Sequence, residues 1–113
     1  MSRIAYVNGR YVPHGQAKVA VEDRGYQFAD GVYEVCEVRG GRMIDESRHM
    51  ARLDRSLKEL RIARPMSPRA LAVVLRETIR RNRVRDGIIY LQVNLSHRAH
   101  PIPDCSTQHR LAE

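Results

Sequence analysis

Arg98 and His100 stand two positions apart in Ser96-His97-Arg98-Ala99-His100-Pro101, a polar, Pro-ended stretch that reads as loop. On a loop both side chains can point at one anion, the Arg through a two-pronged fork and the His through a second donor. His49, Arg52 and Ser56 form another group, spaced to share one flank of a helix. Taken alone, a His and an Arg on such a flank are ordinary solvated residues. Tyr90, Gln92 and Asn94 alternate with apolar neighbours, so one strand face carries three hydrogen-bonding side chains. That face is either a wall of a polar cavity or the wet side of a sheet. The densest chemistry lies in Asp23-Arg24-Gly25-Tyr26-Gln27-Phe28-Ala29-Asp30-Gly31-Val32-Tyr33-Glu34-Val35, which puts two Gly, two Tyr and four charged residues directly ahead of a strand. It reads as a loop that builds a site, with Gly25 and Gly31 permitting close approach of chain or ligand. Amine chemistry has only Lys18 and Lys58 to draw on. Cys36 and Cys105 have neither the number nor the spacing of a disulfide framework or a zinc site.

Positioning these groups falls to a short series of elements. Residues 3 to 13 read as a β-hairpin about Asn8-Gly9, ended by Pro13, which has no N–H to donate. Lys18 to Val21 is a candidate short strand. From Val32 the pattern alternates, with Val32, Glu34, Cys36 and Val38 on one face and Tyr33, Val35, Glu37 and Arg39 on the other. Gly40-Gly41 turns the chain back through Arg42-Met43-Ile44. Asp45 is placed to cap a helix whose stripe is Met50, Leu53, Leu57 and Leu60. Arg64-Pro65-Met66 breaks it, and Ser67-Pro68 starts a second helix with Leu71, Val74, Leu75 and Ile79 inward. The basic run Arg80, Arg81, Arg83 and Arg85 suits the negative end of that helix, and Gly87 suits its exit. Ile88 to Leu95 is a final strand. The fold expected is α+β: a small antiparallel sheet from segments near 4 to 13, 32 to 44 and 88 to 95, with two helices packed on one side.

The run from Asp23 to Val35 resembles the N-terminal signature of the class IV, fold-type IV pyridoxal-phosphate aminotransferases, in the form carried by the D-amino-acid (D-alanine) transaminase branch. The resemblance extends from about Tyr6 to Pro103, so residues 1-103 are taken as an N-terminal domain of such an enzyme and 104-113 as an unassigned tail. His49-Met50-Ala51-Arg52-Leu53 resembles the family's His-x-x-Arg-Leu segment, which implies that Arg52 helps hold the phosphate of the pyridoxal phosphate cofactor. Arg98 and His100 resemble the pair that traps the substrate carboxylate across the subunit boundary of a dimer. Tyr33 and Tyr90 would line the same substrate site. One departure is visible: Asn94-Leu95-Ser96-His97 is shorter than the family's loop and lacks its Arg-Gly. The Schiff-base Lys of the family lies in the C-terminal domain, and neither Lys18 nor Lys58 matches its segment. No catalytic residue is therefore assigned. The resemblance implies a transfer of an amino group between a D-amino acid and a 2-oxo acid in the complete enzyme, with the chain by itself expected to be inactive.

Composition bounds these readings. A chain of 113 residues can hold one core. Its 42% hydrophobic and 29% charged residues are those of an ordinary globular domain. There is no apolar run of membrane-spanning length and no secretory leader pattern at the start, so a cytoplasmic protein without membrane contact is expected. The net charge of +7 is spread through the chain rather than gathered in one tract. That argues against nucleic acid as a partner, although a small basic nucleic-acid-binding domain stays as an alternative reading. The other alternative is a non-catalytic binding or oligomerisation module derived from such an enzyme. Self-association as a homo-oligomer is expected, because a half-enzyme would leave one sheet face uncovered.

Overall fold

The computed structural model describes residues 3–23, 28–95 and 109–112. Strands β1 (Ile4–Val7) and β2 (Arg10–Pro13) form the expected hairpin, with Asn8 and Gly9 at φ 49° and 92° in the left-handed region that such a tight turn demands. A single 3₁₀ turn follows at His14–Gln16. Strand β3 (Gly31–Arg39) buries Val32, Glu34, Cys36 and Val38 and exposes alternate residues. Gly40 and Gly41 turn it into the two-residue strand β4 (Arg42–Met43).

Helix α1 (Glu46–Glu59) buries Leu53 and Leu57 against β3. Asp45 occupies its N-cap position, but with a left-handed backbone and no side-chain cap, so it does not cap in the way its residue type suggests. Leu60, expected on the apolar stripe, lies just past the last turn and is 52% exposed. Helix α2 (Pro68–Asn82) follows the sequence expectation closely: Ser67 Oγ accepts from Ala70 N at 3.1 Å, and Leu71, Val74, Leu75 and Ile79 are buried. Its exit does not. Arg83 takes the left-handed position at φ 53°, with Val84 N donating back to Ile79 O, and Gly87 instead opens strand β5 (Gly87–Asn94).

Strand β6 (His109–Ala112) lies between β1 and β5, giving one antiparallel sheet in the order β2-β1-β6-β5-β3-β4. The segment 104–113 that carried no assignment thus contains an interior strand. Four residues with two polar members are too short to show an alternating pattern, and only the open edges of β1 and β5 select them. The candidate strand at Lys18 to Val21 does not form. Asp23 N donates to Ala20 O at 3.0 Å, closing a turn there, and Val21 is 76% exposed. The expected α+β arrangement holds: both helices cover one face of the sheet, and the core joins Leu53, Leu57, Leu71 and Leu75 to Cys36, Ile89 and Leu91. Each fully buried aliphatic side chain contributes roughly 1.5–3 kcal/mol.

Gly31 matters for space rather than for φ. It lies opposite Asn94 in the β3–β5 register, and a Cβ there would collide with Asn94 Oδ1 and crowd Val93 O at 3.1 Å. Gly31→Ala should therefore destabilise the chain by about 1–3 kcal/mol, as overpacking does. Urea unfolding measures this, and an unchanged midpoint would show that Asn94 can move aside freely.

Candidate active site

Glu34 is the one charged residue in the inward row of β3 and is 4% exposed. A carboxylate in that position costs several kcal/mol unless it is paired. Helix α1 supplies the partners, because a spacing of three residues brings His49 and Arg52 over the same point. Arg52 Nε donates to Glu34 Oε2 and Arg52 Nη2 to Glu34 Oε1, both at 2.8 Å. His49 Nδ1 sits 2.8 Å from Oε1. An ionised carboxylate only accepts, so Nδ1 carries the proton and the other ring nitrogen is left for a ligand. Burial pushes the Glu34 carboxyl up, but the hydrogen bonds from Arg52 and then His49 outweigh it and hold it below the usual carboxylate range. The same contacts raise the Arg52 guanidinium above its ordinary value.

Beyond this triad the helix surface opens into a cleft of about 440 Å³ lined by Asp45, Arg48, His49, Ala51, Arg52 and Arg55. Arg48, Arg52 and Arg55 fall on one side of the helix at steps of four and three. Two of the five N–H groups of Arg52 are committed to Glu34, and three remain for an outside anion. A guanidinium anchored from behind by a buried carboxylate, beside a His and two further cations, fits a phosphate group.

On the opposite face of β3, Tyr33 stacks on Tyr90 with ring centroids 5.7 Å apart and planes at 16°. Tyr90 belongs to a row of side chains along β5 that continues through Gln92 and Asn94 to Asp23, the last two being 2% and 1% exposed. The structure therefore brings Tyr33 and Tyr90 together and sets Arg52 with His49 on the helix side, joined through the neighbouring residues Tyr33 and Glu34. Arg98 and His100 lie outside the described residues. Lys18 is exposed, and Lys58 Nζ is 3.2 Å from Asp54 Oδ2 on the surface of α1. Among the described residues no group of three metal-binding side chains gathers, and no helix is long and apolar enough to cross a membrane. Sequence reasoning placed Glu34 on one face with Val32, Cys36 and Val38 without giving it a role. The available signal was a lone acid inside an apolar alternation, followed along the chain by a His-x-x-Arg.

Residues 31–111 match the family model described as amino-transferase class IV. The chain belongs to that family. Among curated relatives, this class IV chain is 39% identical over 101 residues to the D-alanine aminotransferase of Listeria innocua, covering 87% of its own length and 35% of the relative's. It is 43% identical over 86 residues to that of Bacillus licheniformis, covering 76% of itself and 30% of the relative. The class IV chain thus spans about a third of the curated relatives it matches. Among solved structures, the T.th. branched-chain amino acid aminotransferase complexed with N-(5'-phosphopyridoxyl)-L-glutamate superposes with TM-score 0.84 at 24% identity, over 99% of this chain and 40% of that one. The 4-amino-4-deoxychorismate lyase of Pseudomonas aeruginosa gives 0.70 at 27%, over 96% and 38%.

Cys36 sits beside the triad on β3 and is 1% exposed; burial, then the charge of Glu34, pushes its thiol up to about 11. Because the thiolate is the reactive form, a thiol reagent at neutral pH should modify Cys36 only at the rate at which the chain opens. Labelling in native buffer as fast as in denaturant would contradict this burial.

Proposed function

We propose that this chain forms the N-terminal part of a pyridoxal-phosphate-dependent D-amino-acid aminotransferase. In that reading Arg52, locked by Glu34 and flanked by His49, receives the cofactor phosphate, and Tyr33 and Tyr90 line the substrate side. The observation that carries the reading is the Glu34–His49–Arg52 triad opening onto a basic cleft. The likeness to D-alanine aminotransferases supports the choice of D-amino acid and 2-oxo acid as substrates. The bound cofactor would supply the electron sink that lets the bond at the substrate α-carbon be broken and remade. What this chain adds is binding and orientation: a fixed cation for the phosphate, and two phenols on the open sheet face for the substrate. Arg98 and His100 would meet the substrate carboxylate from a second copy, so the complete enzyme is a homo-oligomer in this reading. Exposed Tyr33, Val35 and Ile88 leave that face available for association.

A chimera tests the proposal. With this chain in place of the corresponding third of the Bacillus licheniformis enzyme, D-alanine and a 2-oxo acid should be turned over, with L-alanine inert. A chimera that folds and retains cofactor yet turns over only L-amino acids, or nothing, would overturn the assignment.

A further inference from the structure

A basic groove runs between the β3–β4 turn and the C-terminal half of α2, in two adjoining parts of about 440 and 370 Å³ that share Gly41, Arg76 and Ile79. Its floor is apolar, with Ile79 buried and Met43 and Val84 partly so. Arg42 stands on one wall, and Arg83 and Arg85 stand on the other. Backbone contacts hold the walls together: Gly41 N donates to Arg85 O at 3.0 Å, and Gly40 N to Asp86 Oδ1 at 3.2 Å. The acids within reach are engaged already. Glu46 accepts from Arg76 through both oxygens, and Glu77 accepts from Arg80 and Arg81. Arg42, Arg83 and Arg85 make no ion pair or side-chain hydrogen bond to any described residue. The helix dipole accounts for Arg80 and Arg81 in the last turn of α2, but Arg42 comes from β4 and Arg85 lies past the helix exit. Arg83 holds a left-handed backbone, which Gly adopts without strain. Arg61 does the same after α1, so the strain alone marks no site; three uncompensated guanidinium groups on one groove do.

We propose that this groove binds an oligophosphate, either inorganic or the phosphate chain of a nucleotide, with Arg42, Arg83 and Arg85 as its ligands. Guanidinium forks match phosphate oxygens two at a time. A cleft lined by one sign of charge over a low-dielectric floor concentrates counter-ions of the other sign. A chain of phosphates can meet several forks at once, where a single carboxylate meets one. Each part of the groove has the size of a small-ligand site. None of this depends on the aminotransferase reading, because the groove shares no lining residue with the cleft at Arg52.

One NMR titration separates the two anion sites, because the Met43 methyl reports the groove and the His49 ring reports the cleft at Arg52. In metal-free buffer with about 0.1 M salt, tripolyphosphate should shift the Met43 methyl saturably, at roughly tenfold lower concentration than orthophosphate. Arg42→Gln and Arg83→Gly should each weaken that binding by about three- to tenfold, the range for a charge-assisted fork in partial solvent. Glycine suits the left-handed position, so the urea midpoint of Arg83→Gly should not fall and its weaker binding cannot be a folding defect. Arg69→Gln removes the same charge from the first turn of α2, outside the groove, and should leave the affinity within about twofold. Equal weakening by Arg69→Gln would show that net charge rather than the groove holds the anion, and would overturn the proposal. Unchanged affinity in both groove variants would do the same. Adenosine triphosphate binding more tightly than tripolyphosphate, with adenosine inert, would assign a nucleotide; equal affinities would assign the phosphate chain by itself. Adenosine as effective as its triphosphate, or oligoglutamate tighter than either phosphate, would overturn the oligophosphate assignment. These readouts need no turnover, so a dead chimera would sink the enzyme reading and leave this one standing.

Discussion

The purified 113-residue chain should show no turnover of D-alanine with 2-oxoglutarate, and Lys18→Ala and Lys58→Ala should change nothing. Holding a phosphate and a carboxylate is binding; transamination also needs an amine to carry the cofactor aldehyde and a base to move the α-proton. Lys18 is exposed in the connection after β2, and Lys58 points from the surface of α1 at Asp54. Neither lines the basic cleft or the tyrosine face. Loss of a covalent nucleophile costs on the order of 10⁶ in rate, which leaves any residual activity below ordinary detection. A coupled assay with both variants as controls checks this. Robust turnover that disappears with one of the two lysines would move the catalytic amine into this chain and overturn the division of labour proposed above.

Glu34→Gln should make the chain less stable by about 1–3 kcal/mol at neutral pH, the range for removing the charge from a buried hydrogen-bonded partner whose own partner stays half in water. The sign with pH follows from the direction of the Glu34 shift. Its carboxyl is held below the usual range in the folded chain, so its contribution is fully present above the unfolded value near ~4.3 and is lost as pH falls through the folded value. Wild type and Glu34→Gln should therefore differ most above about pH 5 and converge in acid. Urea midpoints between neutrality and pH 3 give the comparison. A constant gap at every pH would mean that shape rather than charge holds the triad. The Glu77 carboxyl, pulled to about 2 by hydrogen bonds from Arg80 and Arg81, titrates alike in both chains and so cancels from the difference between them.

How far the sequence disclosed this arrangement differs by element. The start and the buried stripe of helix α2 were legible, because Ser67-Pro68 and a four-residue apolar stripe act locally and nothing distant competes with them, whereas its exit falls at Arg83 and not at Gly87. The faces of β3 and β5 were legible for the same reason, since alternation fixes which side each residue takes. Strand β6 was not, because its identity as a strand comes from the two open edges it fills. The role of Glu34 was hidden as well: an acid on an apolar face reads as a local inconsistency until a helix fifteen residues on brings His49 and Arg52 onto it. Likewise the row from Asp23 to Tyr90 joins residues 71 apart at its buried end, a distance no local pattern spans.

The proposed anion site at Arg52 is tested most directly by a phosphate titration followed by NMR of the His49 ring. Inorganic phosphate should shift the His49 resonances of the wild-type chain saturably. Arg52→Ala should weaken that binding by about ten- to a hundredfold, the range of one charge-assisted fork. Arg52→Lys should restore little of it, because a single ammonium cannot both pair with Glu34 and present a second prong. Equal phosphate affinity in the wild type and a folded Arg52→Ala chain would contradict the account.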